Sequence, residues 1–314
     1  MKKPSKAWQF GLDFIVDEED NIYFIEINNN SYAVLDKTNI LKNISYDENI
    51  NGINNHEMEA IRQANRISDY LDKFNIKEFS YKHMYNLPSA LRISREVFKK
   101  RGINLNYGSD IYTIYCGSDS ETNQNNDWFS CNKIILTENI NLFKSAGIKP
   151  ITNRINYDMN TIHPTFLTKP INGSNGNGVV FYKQKEIIVK ENNITQEYIF
   201  ARPSTESYNW VNSTLIKKTH PPRLCDYRLK LIIDDLGNTQ LVTCHRRTSS
   251  LDLPNKLSDG IIDFNHPHYN AFLCNASKNA YRTIIPEDKL TKWEILSSKV
   301  GKIIFDNFIN KKNE

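Results

Sequence analysis

Lys169-Pro170 is followed by NGSNGNGV, which puts Gly173, Ser174, Gly176 and Gly178 in one short loop between two strand-like runs. Glycine lets backbone N–H groups come close to phosphate oxygens, and a lysine beside such a loop supplies a fixed positive charge. A Walker loop is excluded by the order, since its lysine follows the glycines and leads into a helix. Taken alone, the stretch reads equally well as a Gly/Asn hairpin turn.

A second constellation lies at the other end of the sequence. Asp13 precedes Glu26 by 13 residues, and Asn28 follows two later. A hairpin over residues 8–28 brings Asp13 opposite Glu26, and period-two alternation puts Glu26 and Asn28 on one face. Two carboxylates and an amide oxygen form a hard oxygen set suited to magnesium. An acidic surface hairpin would explain DEEDN at 17–21, but not a glutamate inside the apolar run YFIEIN, where a buried carboxylate needs a partner. Two further signals follow mid-chain: Asp226-Tyr227-Arg228 on one strand-like run, and Arg246-Arg247 on the next.

These residues need elements to hold them. WQFGLDFIV and NIYFIEIN flank the turn DEEDN as a β-hairpin, followed by an Asn-rich linker over 29–55. HEMEAIRQANRISDYLDKF spaces Met58, Ile61, Ile67, Leu71 and Phe74 on one helix face, and SALRISREVFKKRGI reads as a second helix before the strand IYTIYC. NKIIL reads as a strand and INLFKSAGIKPI as a helix ending at Gly147. TFLTKP, GVVFYK, EIIVK and ITQEYIF form a run of short strands, and DYRLKLIIDDLGNTQLVTCHRRTS gives two more about Gly237. The helix DKLTKWEILSSKVGKIIFDNFI offers Leu290, Trp293, Leu296, Val300, Ile303 and Ile304 to a core.

The ordered set Lys169-Pro170 with its glycine loop, Gln196-Glu197-Tyr198-Ile199, Asp226-x-Arg228 and Arg247, together with Asp13…Glu26-x-Asn28, resembles the ATP-grasp superfamily. The closest pattern is its branch of ribosomal-protein glutamate ligases and related amino-acid ligases. The resemblance implies an α/β protein with an ATP-grasp fold behind a small α/β domain. It implies a hairpin and linker over 1–55, the preceding domain over 56–152, and the ATP-grasp lobes over 153–314. It implies ATP and magnesium as cofactors, and a ligase that joins a carboxylate to an amine through an acyl phosphate on a small-molecule or peptide substrate. Lys169 and the loop Gly173, Ser174, Gly176 and Gly178 would meet phosphates, while Glu197 and the backbone near Ile199 would meet adenine. Arg228 and Arg247 would face the transferred phosphoryl group, with Arg246 as the fallback, and Asp13, Glu26 and Asn28 would hold the metal.

One feature departs from the family order: there the metal-binding hairpin follows the last helix, whereas here it precedes everything else. Three arrangements accommodate this, namely circular permutation, donation of the hairpin to a neighbouring chain's site as in a homodimer, and a remnant of a tandem pair. A nucleotide-binding pseudo-enzyme or partner-dependent subunit is the alternative activity. The early ATP-binding lysine of the family has two nearby candidates, Lys133 and Lys144, neither in register.

Bulk properties narrow the class. At 314 residues the length suits two or three subdomains. A formal charge of +4 with no basic block argues against general nucleic-acid binding, and no run approaches the roughly 18 apolar residues of a membrane span. Five scattered cysteines without a CxxC pair fit reduced thiols and a cytoplasmic setting. His266 and His268, in the polar DFNHPHYN, read as a loop with no companion ligand pattern.

Overall fold

Two hairpin turns built on the same device set the register of the central sheet. In DEEDN, Asp17 Oδ1 accepts from the Asn21 backbone N–H (2.8 Å) and Oδ2 from the Asn21 side-chain amide (2.8 Å). In DDLGN, Asp234 does the same with Asn238, at 2.8 Å for both bonds. The fourth residue of each turn is left-handed: Asp20 at φ 65° and Gly237 at φ 83°. Asp and Asn close such turns because their short side chains replace backbone partners. A tyrosine hydroxyl also donates to each aspartate, Tyr23 to Asp17 and Tyr70 to Asp234.

The computed structural model describes residues 2–28, 55–82, 88–106, 111–116, 133–151, 153–154, 165–170, 180–183, 193–211, 214–249, 252–253 and 280–310. The first hairpin is β1 (Lys6–Val16) and β2 (Ile22–Asn28). Then come α1 (Asn55–Lys73), β3 (Glu78–Lys82), α2 (Pro88–Lys100), β4 (Asn104–Asn106), β5 (Tyr112–Cys116) and α3 (Lys133–Asn139). The short strands β6 (Ile148–Lys149) and β7 (Asn153–Arg154) lead to β8 (Thr165–Pro170), β9 (Val180–Lys183) and β10 (Asn193–Glu197). The chain continues as β11 (Ser204–Val211), β12 (Thr214–Arg223), β13 (Cys225–Asp234), β14 (Thr239–Ser249), β15 (Ala280–Ile284) and α4 (Thr291–Ile304).

The α/β class expected from the sequence is present. A nine-stranded mixed sheet runs β15-β14-β13-β1-β5-β3-β4, with β2 also on β1 and β6 on β2. β1 is long enough to serve three neighbours. It lies antiparallel to β13 from Ala7 to Phe14, parallel to β5 from Lys6 to Gln9, and antiparallel to β2 from Gly11 to Val16. A four-stranded antiparallel sheet, β7-β10-β8-β9, and the hairpin β11–β12 complete the strands.

Alternation along β1 divides the sheet faces. Phe10, Leu12 and Phe14 point into a core shared with Leu229, Leu231, Trp293 and Val300, so α4 packs there as its apolar spacing implied. Ala7 points the other way, into a core with Ile232, Val242 and the helix α1. The buried stripe of α1 is Ala60, Ala64, Ile67, Leu71 and Phe74; Met58 and Ile61, expected to be buried, are half-exposed. Small residues at i and i+4 let the helix approach the sheet closely, which two larger side chains would prevent.

KIIL, expected as a strand, is helical rather than extended. Lys133–Asn139 is an α-helix that runs on as a 3-10 helix from Ile140 to Ala146. Leu136, Ile140, Phe143 and Ala146 are all buried, a three-and-four spacing that a strand cannot place on one side. The stop at Gly147 is as expected, with φ 84°. Strands β3 and β4 and the hairpin β11–β12 were not foreseen from the sequence. The linker 29–54, the segment EIIVK and the His266/His268 loop lie outside the described residues.

Gly301 on α4 faces Thr239 on β14: a methyl there would stand 2.9 Å from Thr239 Cβ and closer still to its Oγ1 and Cγ2. Gly301→Ala is expected to lower stability by about 1–3 kcal/mol through overpacking. Urea denaturation checks this, and adding Thr239→Ala should restore part of the loss.

Candidate functional site

The site begins at an irregularity in the hairpin. Asp13 pairs with Glu26, but the next pair is Phe14 with Phe24, so Ile25 is an extra residue on β2. Without this bulge, strict alternation would put Phe24 and Glu26 on the same face. With it, Phe24 joins Ile27 in the core, its ring 4.8 Å from that of Phe14, while Glu26 turns to the opposite face beside Asp13. This explains how a glutamate sits in an apolar strand. Asn28 lies in register with Gly11, two pairs along.

Asp13 is 2 % exposed, and β13 brings Arg228 directly across from it. Arg228 donates from Nε and Nη2 to the two Asp13 oxygens, both at 2.6 Å. Arg247, on the next strand, reaches Asp13 Oδ2 at 3.1 Å and grips Asp226 with bonds of 2.6 and 2.5 Å. Asp13, Asp226, Arg228 and Arg247 therefore form a closed quartet of two negative and two positive charges. Burial disfavours the charge on Asp13, but the guanidiniums of Arg228 and Arg247 outweigh it and hold the group down at about 2. Burial pushes Asp226 up to about 6 against the pull of Arg247, and the negative Asp13 nearby adds to the rise. Arg246 points to the other face, where it donates to Thr283 Oγ1 (3.3 Å) and to the Glu206 carbonyl. The second arginine of the pair, not the fallback, thus shares the face of Arg228.

Lys169 comes from the four-stranded sheet, on β8, and is 8 % exposed. Its Nζ donates to the carbonyl of Ile25, the bulge residue, at 3.3 Å. The connection after β10 runs along the same hairpin. Arg202 N–H donates to the Val16 carbonyl (2.8 Å), and its guanidinium donates to the Glu18 carbonyl (2.7 Å) and pairs with Asp20 (2.9 Å). Leu167, Tyr198 and Phe200 pack with Ile15 around Ala201 and Leu224. Glu197 ends β10 opposite Phe166 and lies close enough to Tyr23 to raise its hydroxyl pKa, which burial and Asp17 push up to about 12. Ile199 sits half-buried in this connection.

Residues 13–26, Lys169, residues 197–202 and residues 226–247, remote in sequence, thus meet in one chain. The hairpin engages this chain's own β13, β8 and the connection after β10. Gly173, Ser174, Gly176 and Gly178 lie outside the described residues. Among the described residues no three His, Cys, Asp or Glu side chains form a metal-binding group, the expected set holding only two carboxylates. Neither the bulge at Ile25 nor the role of Asp226 as partner to Arg247 was read from the sequence. The D-x-R spacing was the available signal for Asp226, since alternation puts both of its charged residues on one face.

No protein-family model matches the sequence, and no match was found among curated proteins. Among solved structures, a glutathione synthetase-like effector from Globodera pallida in its apo form aligns over 78 % of this chain and 74 % of its own, with a TM-score of 0.40 and 6 % identity. A likeness of that degree carries no argument about activity. No helix among the described residues is long and apolar enough to cross a membrane.

The quartet dictates a pH response. A carboxyl raised by folding stabilises the native state below its unfolded pKa and loses that contribution as pH rises through the folded value, here from about 4 to about 6 for Asp226. A carboxyl lowered by folding does the reverse, so Asp13 contributes above pH 4 and loses its contribution toward pH 2. Relative to Asp226→Asn, the wild type is expected to lose about 2 kcal/mol between pH 4 and pH 6.5. Urea midpoints of both proteins across that range test this.

Proposed function

We propose that this chain is an ATP- and magnesium-dependent ligase that joins a carboxylate to an amine through an acyl phosphate, on an amino acid, peptide or protein substrate. The observation that carries the reading is the meeting, within one chain, of Lys169, the Asp13/Glu26 pair and the Arg228/Arg247 pair. These supply the charges that phosphoryl transfer needs: a lysine for phosphate oxygens, carboxylates for a divalent cation, and arginines for the transferred group. The meeting in cis favours a permuted arrangement over donation of the hairpin to another chain.

Asp13 and Glu26 fit magnesium chemically. They are hard oxygen donors directly opposite each other, and Asp13 Oδ1 meets one guanidinium donor where Oδ2 meets two. Bound there, the ion would neutralise phosphate charge. Lys169 would orient phosphates against the hairpin, and Glu197 with the backbone near Ile199 would line the adenine end. Arg228 uses Nε and Nη2 on Asp13, which leaves Nη1 for an incoming oxygen. Because both arginines are already matched by carboxylates, an arriving phosphoryl group must compete with Asp13 and Asp226 for them. That full neutralisation also favours a second reading, a nucleotide-binding pseudo-enzyme or partner-dependent subunit in which the quartet is structural.

Turnover separates the two. With ATP, magnesium and libraries of carboxylates and amines, ADP release and hydroxamate formation in hydroxylamine are expected from the wild type. Glu26→Gln and Lys169→Ala should each reduce both by roughly 100-fold or more. Nucleotide binding with neither product from any library member would overturn the ligase reading in favour of the second.

A further inference from the structure

Polar contacts join the smaller sheet to the first hairpin at Lys169 and at Arg202. Lys169 Nζ donates to the Ile25 carbonyl at 3.3 Å. Arg202, five residues past the end of β10, makes three contacts with the hairpin tip. Its backbone N–H meets the Val16 carbonyl at 2.8 Å, Nη2 the Glu18 carbonyl at 2.7 Å, and Nη1 the Asp20 carboxylate at 2.9 Å. The phosphoryl chemistry gives Arg202 no part, and its side chain is 42 % exposed.

What Arg202 grips is rigid. Asp17 closes the tip by accepting from the backbone N–H groups of Glu19 (3.1 Å) and Asn21 (2.8 Å) and from the Asn21 side-chain amide (2.8 Å). Asp20, left-handed at φ 65°, also stands 3.9 Å from Lys292 in the first turn of α4, which ties the tip to the helix packed on the main sheet. What Arg202 holds is rigid too. Lys169 pairs with Ile194 and Phe166 with Glu197, so the β8–β10 ladder carries Lys169 and the end of β10 as one body. From there the chain reaches Arg202 through Tyr198, Phe200 and Ala201, which pack with Ile15, Leu167 and Leu224. That apolar contact is non-directional and lets the surfaces slide. A guanidinium on a carbonyl and a carboxylate does not, because its bonds are charge-assisted and directional.

We infer that Arg202 is a positioning residue: its grip on the hairpin tip fixes the smaller sheet so that Lys169 stays at the bulge beside Glu26. The lysine cannot do this for itself. Its ammonium is a point charge on a flexible stem, able to exchange one oxygen for another, whereas the planar fork of Arg202 holds two acceptors at once. Exposed ion pairs contribute little to stability, so the expected signature is a loss of order at Lys169 without a loss of fold. The positioning of Lys169 does not depend on the ligase reading; its consequence for nucleotide affinity does.

The test is acetylation footprinting of the full chain by mass spectrometry, in which N-hydroxysuccinimidyl acetate measures how readily each lysine amine is reached from solvent. Lys169 and Lys230 are 8 % and 4 % exposed, and Lys230 lies on β13 of the main sheet, where it controls for global unfolding. Arg202→Met should raise acetylation of Lys169 by about fivefold or more while Lys230 stays as protected as in the wild type. Arg202→Lys, which keeps a charge for Asp20, should restore most of the protection. If Arg202→Met does not fold, Asp20→Asn, which keeps a residue tolerant of left-handed backbone, should raise Lys169 by about twofold or more with Lys230 unchanged. Lys169 left as protected in these variants, both lysines rising together, or no recovery in Arg202→Lys would overturn the inference. In parallel, calorimetry with the nonhydrolysable nucleotide AMP-PNP and magnesium should show affinity falling about 10-fold or more in Arg202→Met. Nucleotide that does not bind the wild type, or binds Arg202→Met unchanged despite a loosened Lys169, would sink the ligase reading and leave the positioning role standing.

Discussion

Everything at the site depends on the Asp13 carboxylate, buried in the sheet and held by two guanidiniums from successive strands. A lone carboxylate there would be prohibitively costly, and a lone arginine equally so. Each charge is tolerated because the others are present, and the register of β1, β13 and β14 keeps them together. Removing one member leaves an uncompensated buried charge, so the quartet constrains the sheet as much as the sheet constrains the quartet. Any reaction that draws on Arg228 or Arg247 must loosen these pairs, which ties the affinity of the site for anions to whatever else competes for Asp13.

The bulge at Ile25 does three things at one residue. It rotates Phe24 into the core, turns Glu26 toward Asp13, and presents a carbonyl to Lys169. The apolar side therefore stabilises the polar side: Phe24 against Phe14 and Phe143 anchors the strand that carries Glu26. The hinge after β10, pinned by Arg202 to Val16, Glu18 and Asp20, holds the smaller sheet against the same hairpin.

Much of this was legible in the sequence because it is written in local rules. The DEEDN and DDLGN turns, the alternation of GLDF, the pairing of Asp13 with Glu26 and the apolar spacing of α4 all follow from short-range chemistry. What was illegible depends on tertiary context. KIIL suits a strand by β-branching, yet its burial continues with helical spacing into Ile140 and Phe143. Nothing local in IYFIEIN announces a bulge. Glu59 reads as an ordinary helix surface residue until the sheet beneath proves polar, so that α1 buries Glu59 and Gln63 beside its alanines. The order of segments was visible, but the packing of the first hairpin against β13 and Lys169 of its own chain depends on contacts remote in sequence.

The most direct measurement is a crystal structure with AMP-PNP and manganese, the metal located by its anomalous signal. The account requires a manganese peak bonded to oxygens of Asp13 and Glu26, with Lys169 Nζ in hydrogen-bond contact with a phosphate of the same nucleotide. Nucleotide or metal bound elsewhere, with Asp13 still held by Arg228 and Glu26 bare, would contradict it.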